Sequence, residues 1–243
     1  MIEKDVVVTT KHGAMPSFAV CPEGAGNFPA VILYMDAPGI REELRNIARR
    51  IAKHGYFCLL PDMYYRYGTL RFDLPRRDET MSAVIRAAYT NLSNAAVADD
   101  TAGMLSFLDG QDKVRAGVVG CVGYCMSGCF VTTVAARFAD RFASAASLYG
   151  VGIVTDKEDS PHFLLDKVKG ELYYGFAETD TAVPSHVIPT LKTALEKNAI
   201  RHELEIYPGT LHGYCFAERA QYHPAAAAAT WDKLVALWDR TLK

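Results

Sequence analysis

The chain has no marked excess of one charge and no long apolar run. Its 26 basic and 28 acidic side chains leave a formal net charge of −2, which argues against nucleic acid or an anionic membrane as the main partner. No run of about 18 apolar residues occurs, so no membrane-spanning helix is expected. The N-terminal segment Met1–Asp5 is acidic and lacks the apolar core of a secretion signal. With 50% of its 243 residues apolar, the sequence predicts an ordinary soluble globular protein, and the lack of a disulfide pattern among its cysteines makes the reducing cytoplasm the expected location.

The six cysteines do not form the dense pattern of a disulfide scaffold. Cys21, Cys58, Cys121 and Cys129 lie inside apolar runs, where cysteine behaves as a small hydrophobic residue. Cys121, Cys125 and Cys129 recur at every fourth position, but the second ligand pair of a zinc site is missing. We therefore expect no metal site.

Strand-like and helix-like stretches alternate along the whole sequence, without an internal repeat or a low-complexity linker. The strand-like runs are Val6–Thr10, Ser17–Cys21, Ala30–Met35, Phe57–Leu60, Val114–Cys121, Ser144–Tyr149, Glu171–Phe176 and Glu203–Tyr207. The main helix-like stretches are Arg41–Lys53, Ala95–Leu108, Ser185–Lys197 and Pro224–Leu242. This alternation predicts a single α/β domain over residues 1–243, with a mostly parallel central sheet and helices on both faces. The first two strands are close in sequence and are expected to form an antiparallel edge.

The segment from Val118 to Gly128 carries the strongest functional signal. An apolar, β-branched run leads through a glycine-rich turn, with Cys125 at its apex, into a helix-like run. Glycine at such a corner removes the Cβ atoms that would clash, and the first N–H groups of the helix can stabilise an anion beside the apex. The corner differs from the usual G-x-S-x-G, because Cys125 replaces the serine and Ser127 occupies the second small position. Alone, the motif fits a buried, inert cysteine equally well.

An acid and a histidine follow later strands in the order of an α/β-hydrolase triad. Asp180 comes after the run Glu171–Phe176, and His212 lies in a glycine-bracketed loop after Glu203–Tyr207. A histidine within reach can accept the thiol proton, and an acid on its far nitrogen fixes its tautomer. Two alternatives remain: Asp180 caps the following helix, or Glu178 is the acid.

The loop after Ala30–Met35 is expected to supply one donor for an oxyanion. In this arrangement the second donor is the backbone N–H that follows the nucleophile. These rules nominate the N–H groups of Ala37 and Met126, because Pro38 has no N–H. Asp36 then places a carboxylate at the mouth of the same pocket, unless it is only a turn or capping acid.

These segments together resemble the dienelactone hydrolase family. The resemblance rests on Gly123-Tyr124-Cys125-Met126-Ser127-Gly128, on Asp180 before Val183-Pro184, on His212-Gly213 and on Pro61-Asp62-Met63-Tyr64-Tyr65-Arg66, and it runs from about Ala30 to Trp231. It implies the α/β-hydrolase fold and a cysteine hydrolase that needs no cofactor. It also implies that a small lactone or carboxylic ester is the substrate, as for a carboxymethylenebutenolidase. Cys125, Asp180 and His212 would be the catalytic residues.

The chain departs from the family pattern at two positions. The family has an acid, usually glutamate, that contacts the resting thiol, and the shorter Asp36 occupies that position. The type enzyme holds a substrate carboxylate with an arginine four residues after the histidine, where this chain has Phe216. We expect Tyr64, Arg66, Tyr214 and Phe216 to line the substrate pocket. A binding protein that keeps the fold without catalysis is the alternative function.

Overall fold

Eight strands form a sheet in the order β1-β2-β4-β3-β5-β6-β7-β8 in the computed structural model, which describes all 243 residues. The strands are β1 (Ile2–Thr10), β2 (Gly13–Cys21), β3 (Phe28–Tyr34), β4 (Phe57–Pro61), β5 (Val114–Tyr124), β6 (Phe142–Leu148), β7 (Glu171–Thr179) and β8 (His202–Leu211). The α-helices are α1 (Glu42–Lys53), α2 (Glu79–Thr90), α3 (Asn94–Asp109), α4 (Ser127–Arg137), α5 (Val187–Lys197) and α6 (Pro224–Leu242). The predicted α/β class with a mostly parallel sheet is confirmed.

The chain divides into two compact units, residues 1–117 and 118–243. The single domain predicted over the whole chain stays a prediction. No helix combines the length and the apolar content that crossing a bilayer requires.

In the first unit, β2 pairs antiparallel with both β1 and β4, whereas β3 pairs parallel with β4. The predicted antiparallel edge is therefore confirmed. β1 begins earlier than predicted, because an edge strand with one solvated face accepts polar residues. Two of these residues, Asp5 and Glu3, form ion pairs with Arg45 and Arg49 of α1, each at 2.8 Å.

In the second unit, the neighbours from β5 to β8 all pair in parallel. Parallel strands end at the same edge of a sheet, so the residues that follow β5, β6, β7 and β8 are brought to one edge. These residues are Cys125, Tyr149, Asp180 and His212. The topology of this unit thus collects the predicted triad, together with one tyrosine that sequence analysis placed inside its strand.

The end of β8 differs from the prediction. Pro208 and Gly209 suggested a loop, yet the strand continues to Leu211. A bulge absorbs them, since Ala177 pairs with Tyr207 and Thr179 pairs with Leu211. His212 therefore follows a strand directly, which restrains its backbone more than a glycine-bracketed loop would.

Two helices also differ from the prediction. The helix α2 was not predicted; the Asp78 side chain caps it by accepting the Met81 N–H at 2.7 Å. The helix α5 begins at Val187 rather than directly after Pro184. Asp180 lies too far before this helix to cap it, so the capping alternative for Asp180 is wrong.

Candidate active site

Cys125 lies on a strained corner between β5 and α4. Its φ angle is 54°, in the left-handed region that residues with a side chain rarely adopt. Backbone hydrogen bonds hold this conformation: Cys125 N–H donates to Leu148 O at 3.0 Å, and Cys125 O accepts from the N–H groups of Gly128 and Val151 at 3.1 and 2.9 Å. The thiol is partly exposed, unlike the fully buried Cys58 and Cys121.

Both glycines that flank the corner are required by close packing. A Cβ atom on Gly123 would lie 2.7 Å from Val131 Cγ1 and 2.8 Å from Ser127 O. A Cβ atom on Gly128 would lie 2.3 Å from Gly150 Cα. The expected reason for glycine at these positions is therefore confirmed, and Ser127 is tolerated because its own side chain packs beside Gly123.

His212 is hydrogen-bonded to Asp180, the acid that was predicted to orient it. Its Nδ1 lies 2.7 Å from Asp180 Oδ2, and the Asp180 side chain is only 3% exposed. The other carboxylate oxygen of Asp180 accepts the Ala182 N–H at 2.9 Å, which fixes the orientation of the carboxylate. Glu178, the alternative acid, is exposed and accepts the Gly209 N–H at 2.9 Å. Of the two acids, Asp180 is the partner of the histidine.

The surroundings of His212 favour its protonated form. Burial lowers the pKa of His212, but the hydrogen bond to Asp180 and the interaction with Cys125 raise it to about 10. The imidazole therefore carries a proton near neutral pH. A protonated imidazole close to a cysteine is an arrangement that can supply a thiolate nucleophile and a general acid.

The predicted pocket residues Tyr214 and Phe216 are fully buried in an aromatic cluster. Phe216 lies 5.0 Å from the Tyr124 ring, and the Arg219 guanidinium lies 5.2 Å above the Phe216 ring. The Tyr214 hydroxyl forms a hydrogen bond with Thr230 Oγ1 at 3.0 Å. Tyr149, at the centre of the cluster, packs its ring 5.1 Å from the His212 ring. Sequence analysis missed this tyrosine, although its position at the end of β6 was an available signal.

The remaining predicted residues of the first unit have partners that the sequence did not reveal. Asp36 is fully buried and forms a bidentate ion pair with Arg41 at 2.5 and 3.2 Å. The Tyr64 hydroxyl donates to Ala37 O at 2.7 Å. The Arg66 guanidinium donates two hydrogen bonds of 2.7 Å to the buried Asp100 carboxylate.

The roles assigned to these residues therefore stay predictions. The same holds for the N–H of Ala37 and for that of Met126, which stands at the start of α4. The Asp36 carboxylate is already paired with Arg41, so in a thiol-modulating role it would act as an ion-paired carboxylate.

The dienelactone hydrolase family model matches residues 15–242. A Synechocystis protein, provisionally named a carboxymethylenebutenolidase, is 28% identical over 241 residues, covering 98% of this chain and 96% of that protein. The crystal structure of a provisionally named dienelactone hydrolase from Klebsiella pneumoniae has a TM-score of 0.88 at 22% identity, covering 98% of each chain. A dienelactone hydrolase-like promiscuous phosphotriesterase from metagenomic libraries has a TM-score of 0.81 at 15% identity, covering 100% of each chain.

These likenesses differ in what they establish. The structural neighbours confirm the fold over the whole chain, but a shared fold does not identify a substrate. The family match is more specific, because it spans nearly every residue, including the corner around Cys125 and the segments that carry Asp180 and His212. The chain belongs to the dienelactone hydrolase family of hydrolases.

Proposed function

We propose that this protein is a cysteine-dependent hydrolase that opens a small lactone or cleaves a small carboxylic ester. Cys125 is the nucleophile, His212 the general acid and base, and Asp180 the residue that orients the histidine. The observation that carries the proposal is the 2.7 Å hydrogen bond between His212 Nδ1 and the buried Asp180 carboxylate, at the sheet edge where the strained corner presents Cys125. The names of the carboxymethylenebutenolidase relatives support this substrate class.

The reaction proceeds in two steps. The Cys125 thiolate attacks the carbonyl carbon, the bond from this carbon to the alcohol oxygen breaks, and His212 donates its proton to that oxygen. A thioester remains on the sulfur. His212 then accepts a proton from water, whose oxygen attacks the thioester carbon, and cleavage of the carbon–sulfur bond releases the acid and restores the thiolate. In a lactone, the alcohol stays attached to the product.

Hydrogen-bond donors must stabilise the negative charge that develops on the carbonyl oxygen during the attack. The family resemblance assigns this role to the N–H groups of Ala37 and Met126. Such preorganised donors stabilise the tetrahedral intermediate more than the ground state, which is why they accelerate the reaction.

Hydrolysis of p-nitrophenyl acetate and of a dienelactone tests the proposal. We expect the purified protein to hydrolyse both and Cys125→Ala to abolish turnover. Cys21→Ala, which removes a buried thiol from β2, is the matched control and should keep wild-type activity. Unchanged turnover in Cys125→Ala would refute the assignment of Cys125 as the nucleophile.

A binding protein without catalysis makes the opposite prediction. It should turn over no ester, and its Cys125 should react with iodoacetamide no faster than an ordinary thiol. A fast, histidine-dependent alkylation of Cys125 is expected instead, because the neighbouring imidazole carries a proton near neutral pH.

A further inference from the structure

Tyr149 occupies the same position in the fold as the three triad residues. Cys125, Asp180 and His212 directly follow β5, β7 and β8, and Tyr149 directly follows β6, which lies between β5 and β7. Its side chain is fully buried. The triad chemistry makes no use of this residue, so its placement among the triad residues calls for another explanation.

The backbone of Tyr149 is strained. Its φ angle is 38°, a value that aromatic residues rarely adopt, and its N–H donates to Gly175 O at 2.6 Å. Residues persist in such conformations only where their surroundings over-determine them, and they cluster at functional sites.

The segment that carries Tyr149 also holds the backbone of Cys125. Leu148 O accepts the Cys125 N–H at 3.0 Å, and Val151 N–H donates to Cys125 O at 2.9 Å. Between them, a Cβ atom on Gly150 would lie 2.1 Å from Ser147 Oγ, so the chain passes too close to its neighbours for a side chain there. A displacement of residues 148–151 would therefore displace Cys125.

The Tyr149 ring contacts the His212 ring. The ring centroids are 5.1 Å apart at an interplanar angle of 65°, an edge-to-face arrangement. The rings of Tyr124, Tyr214 and Phe216 surround Tyr149 at 5.9, 5.3 and 6.2 Å and hold it in place. The hydrogen bond from Nδ1 to Asp180 fixes one point of the imidazole, but it leaves the ring free to tilt about that bond. The packed Tyr149 ring opposes this tilt.

We propose that Tyr149 is the positioning residue that aligns the His212 imidazole with the Cys125 sulfur. This inference rests on the proposed cysteine hydrolase function. Residues 148–151 then position both partners of the proton transfer. Their backbone hydrogen bonds hold Cys125, and the Tyr149 ring holds the His212 imidazole. The ring performs this role, so the hydroxyl group is dispensable for the alignment.

Substitutions at Tyr149 test the inference. Because misplacement of a catalytic group by about 1 Å can cost roughly 100-fold, we expect Tyr149→Leu to lower kcat about 10- to 100-fold with KM changed less than about 3-fold. Tyr149→Phe keeps the ring and should retain activity within about 3-fold of the wild type. The rate of Cys125 alkylation by iodoacetamide near neutral pH should fall in Tyr149→Leu and persist in Tyr149→Phe.

Tyr174→Leu is the matched control, since Tyr174 is a buried tyrosine of β7 whose ring stacks on Phe176 at 6.3 Å and whose hydroxyl bonds Thr132 Oγ1 instead of a triad residue. If Tyr149→Leu does not fold, Tyr149→Met, which fills the volume without a ring, takes its place in both assays. Equal losses of kcat in the control and in the Tyr149 variant would overturn the positioning role. A wild-type protein without esterase activity would instead refute the proposed function.

Discussion

Replacing Asp180 with asparagine removes the negative charge beside His212 while keeping the shape of the side chain. The lost interaction is a hydrogen bond of 2.7 Å between a charged pair, with an Asp180 side chain that is only 3% exposed. Hydrogen bonds to charged groups contribute about 1.5–3 kcal/mol, which corresponds to a loss in rate of roughly 10- to 150-fold if it is realised in the transition state.

The second oxygen of Asp180 makes the effect larger. It accepts the Ala182 N–H at 2.9 Å, and the asparagine amide will place its oxygen there, because an NH2 group cannot accept that bond. The amide NH2 then faces His212 Nδ1 and forces the proton of a neutral imidazole onto Nε2. With Nδ1 bonded to Asp180, Nε2 is the nitrogen left for the thiol, so this tautomer cannot accept the thiol proton. We therefore expect a loss in kcat of about 100-fold or more.

The assay is kcat and KM for p-nitrophenyl acetate, with thermal unfolding to show that the variant is folded. Glu178→Gln is the matched control, since it neutralises an exposed carboxylate two residues away that bonds Gly209 N–H instead of the histidine. The control should stay within about 2-fold of the wild type, as surface substitutions usually do. An Asp180→Asn variant within about 3-fold of wild-type kcat would refute the assigned role of Asp180.

Two further predictions concern stability. Burial lowers the pKa of His212, but Asp180 and Cys125 raise it further, to about 10 in the folded protein. Because this value lies above the ~6.5 of an unfolded chain, the stabilisation is complete below pH of about 6.5 and is lost as the pH rises towards about 10. The difference in free energy of unfolding between the wild type and His212→Asn, from urea titrations across this range, should shrink by on the order of a few kcal/mol; a pH-independent difference would contradict the pairing. Arg66→Ala leaves the buried Asp100 without two hydrogen bonds of 2.7 Å and should cost about 3 kcal/mol in urea unfolding. A raised KM with unchanged stability would instead favour the pocket role predicted for Arg66.

The sequence predicted the elements that have a strong local pattern. The centres of all eight strands were recognisable, and for β3, β4 and β7 the reason is that buried parallel strands are continuous apolar runs. Element ends were less accurate, since β1 continues through polar residues and β8 continues through Pro208 and Gly209. In both places a tertiary partner overrides the local preference: ion pairs from α1 hold β1, and a bulge against β7 accommodates Pro208 and Gly209.

The candidate triad was predictable because its residues follow strands, and the strand-end rule depends on topology more than on side-chain detail. The choice between Asp180 and Glu178 was not predictable, because both acids lie near the end of β7 and only the path of β8 determines which one faces His212. Tyr149 was missed for a related reason. A positive φ is normally signalled by glycine or asparagine, and here the packing around a tyrosine imposes it.

The order of residues along this chain thus specifies the strands, the strained corner at Cys125 and the three residue types of the candidate triad. These features depend on periodicity, on apolar runs and on glycine, all of which act over a few neighbouring residues. The partners of other side chains, such as Asp100 for Arg66 and Tyr149 for His212, depend on packing between segments that are far apart in the sequence. Such contacts form only when the chain has folded, because the same side chains have many alternative partners until the sheet brings one of them within reach.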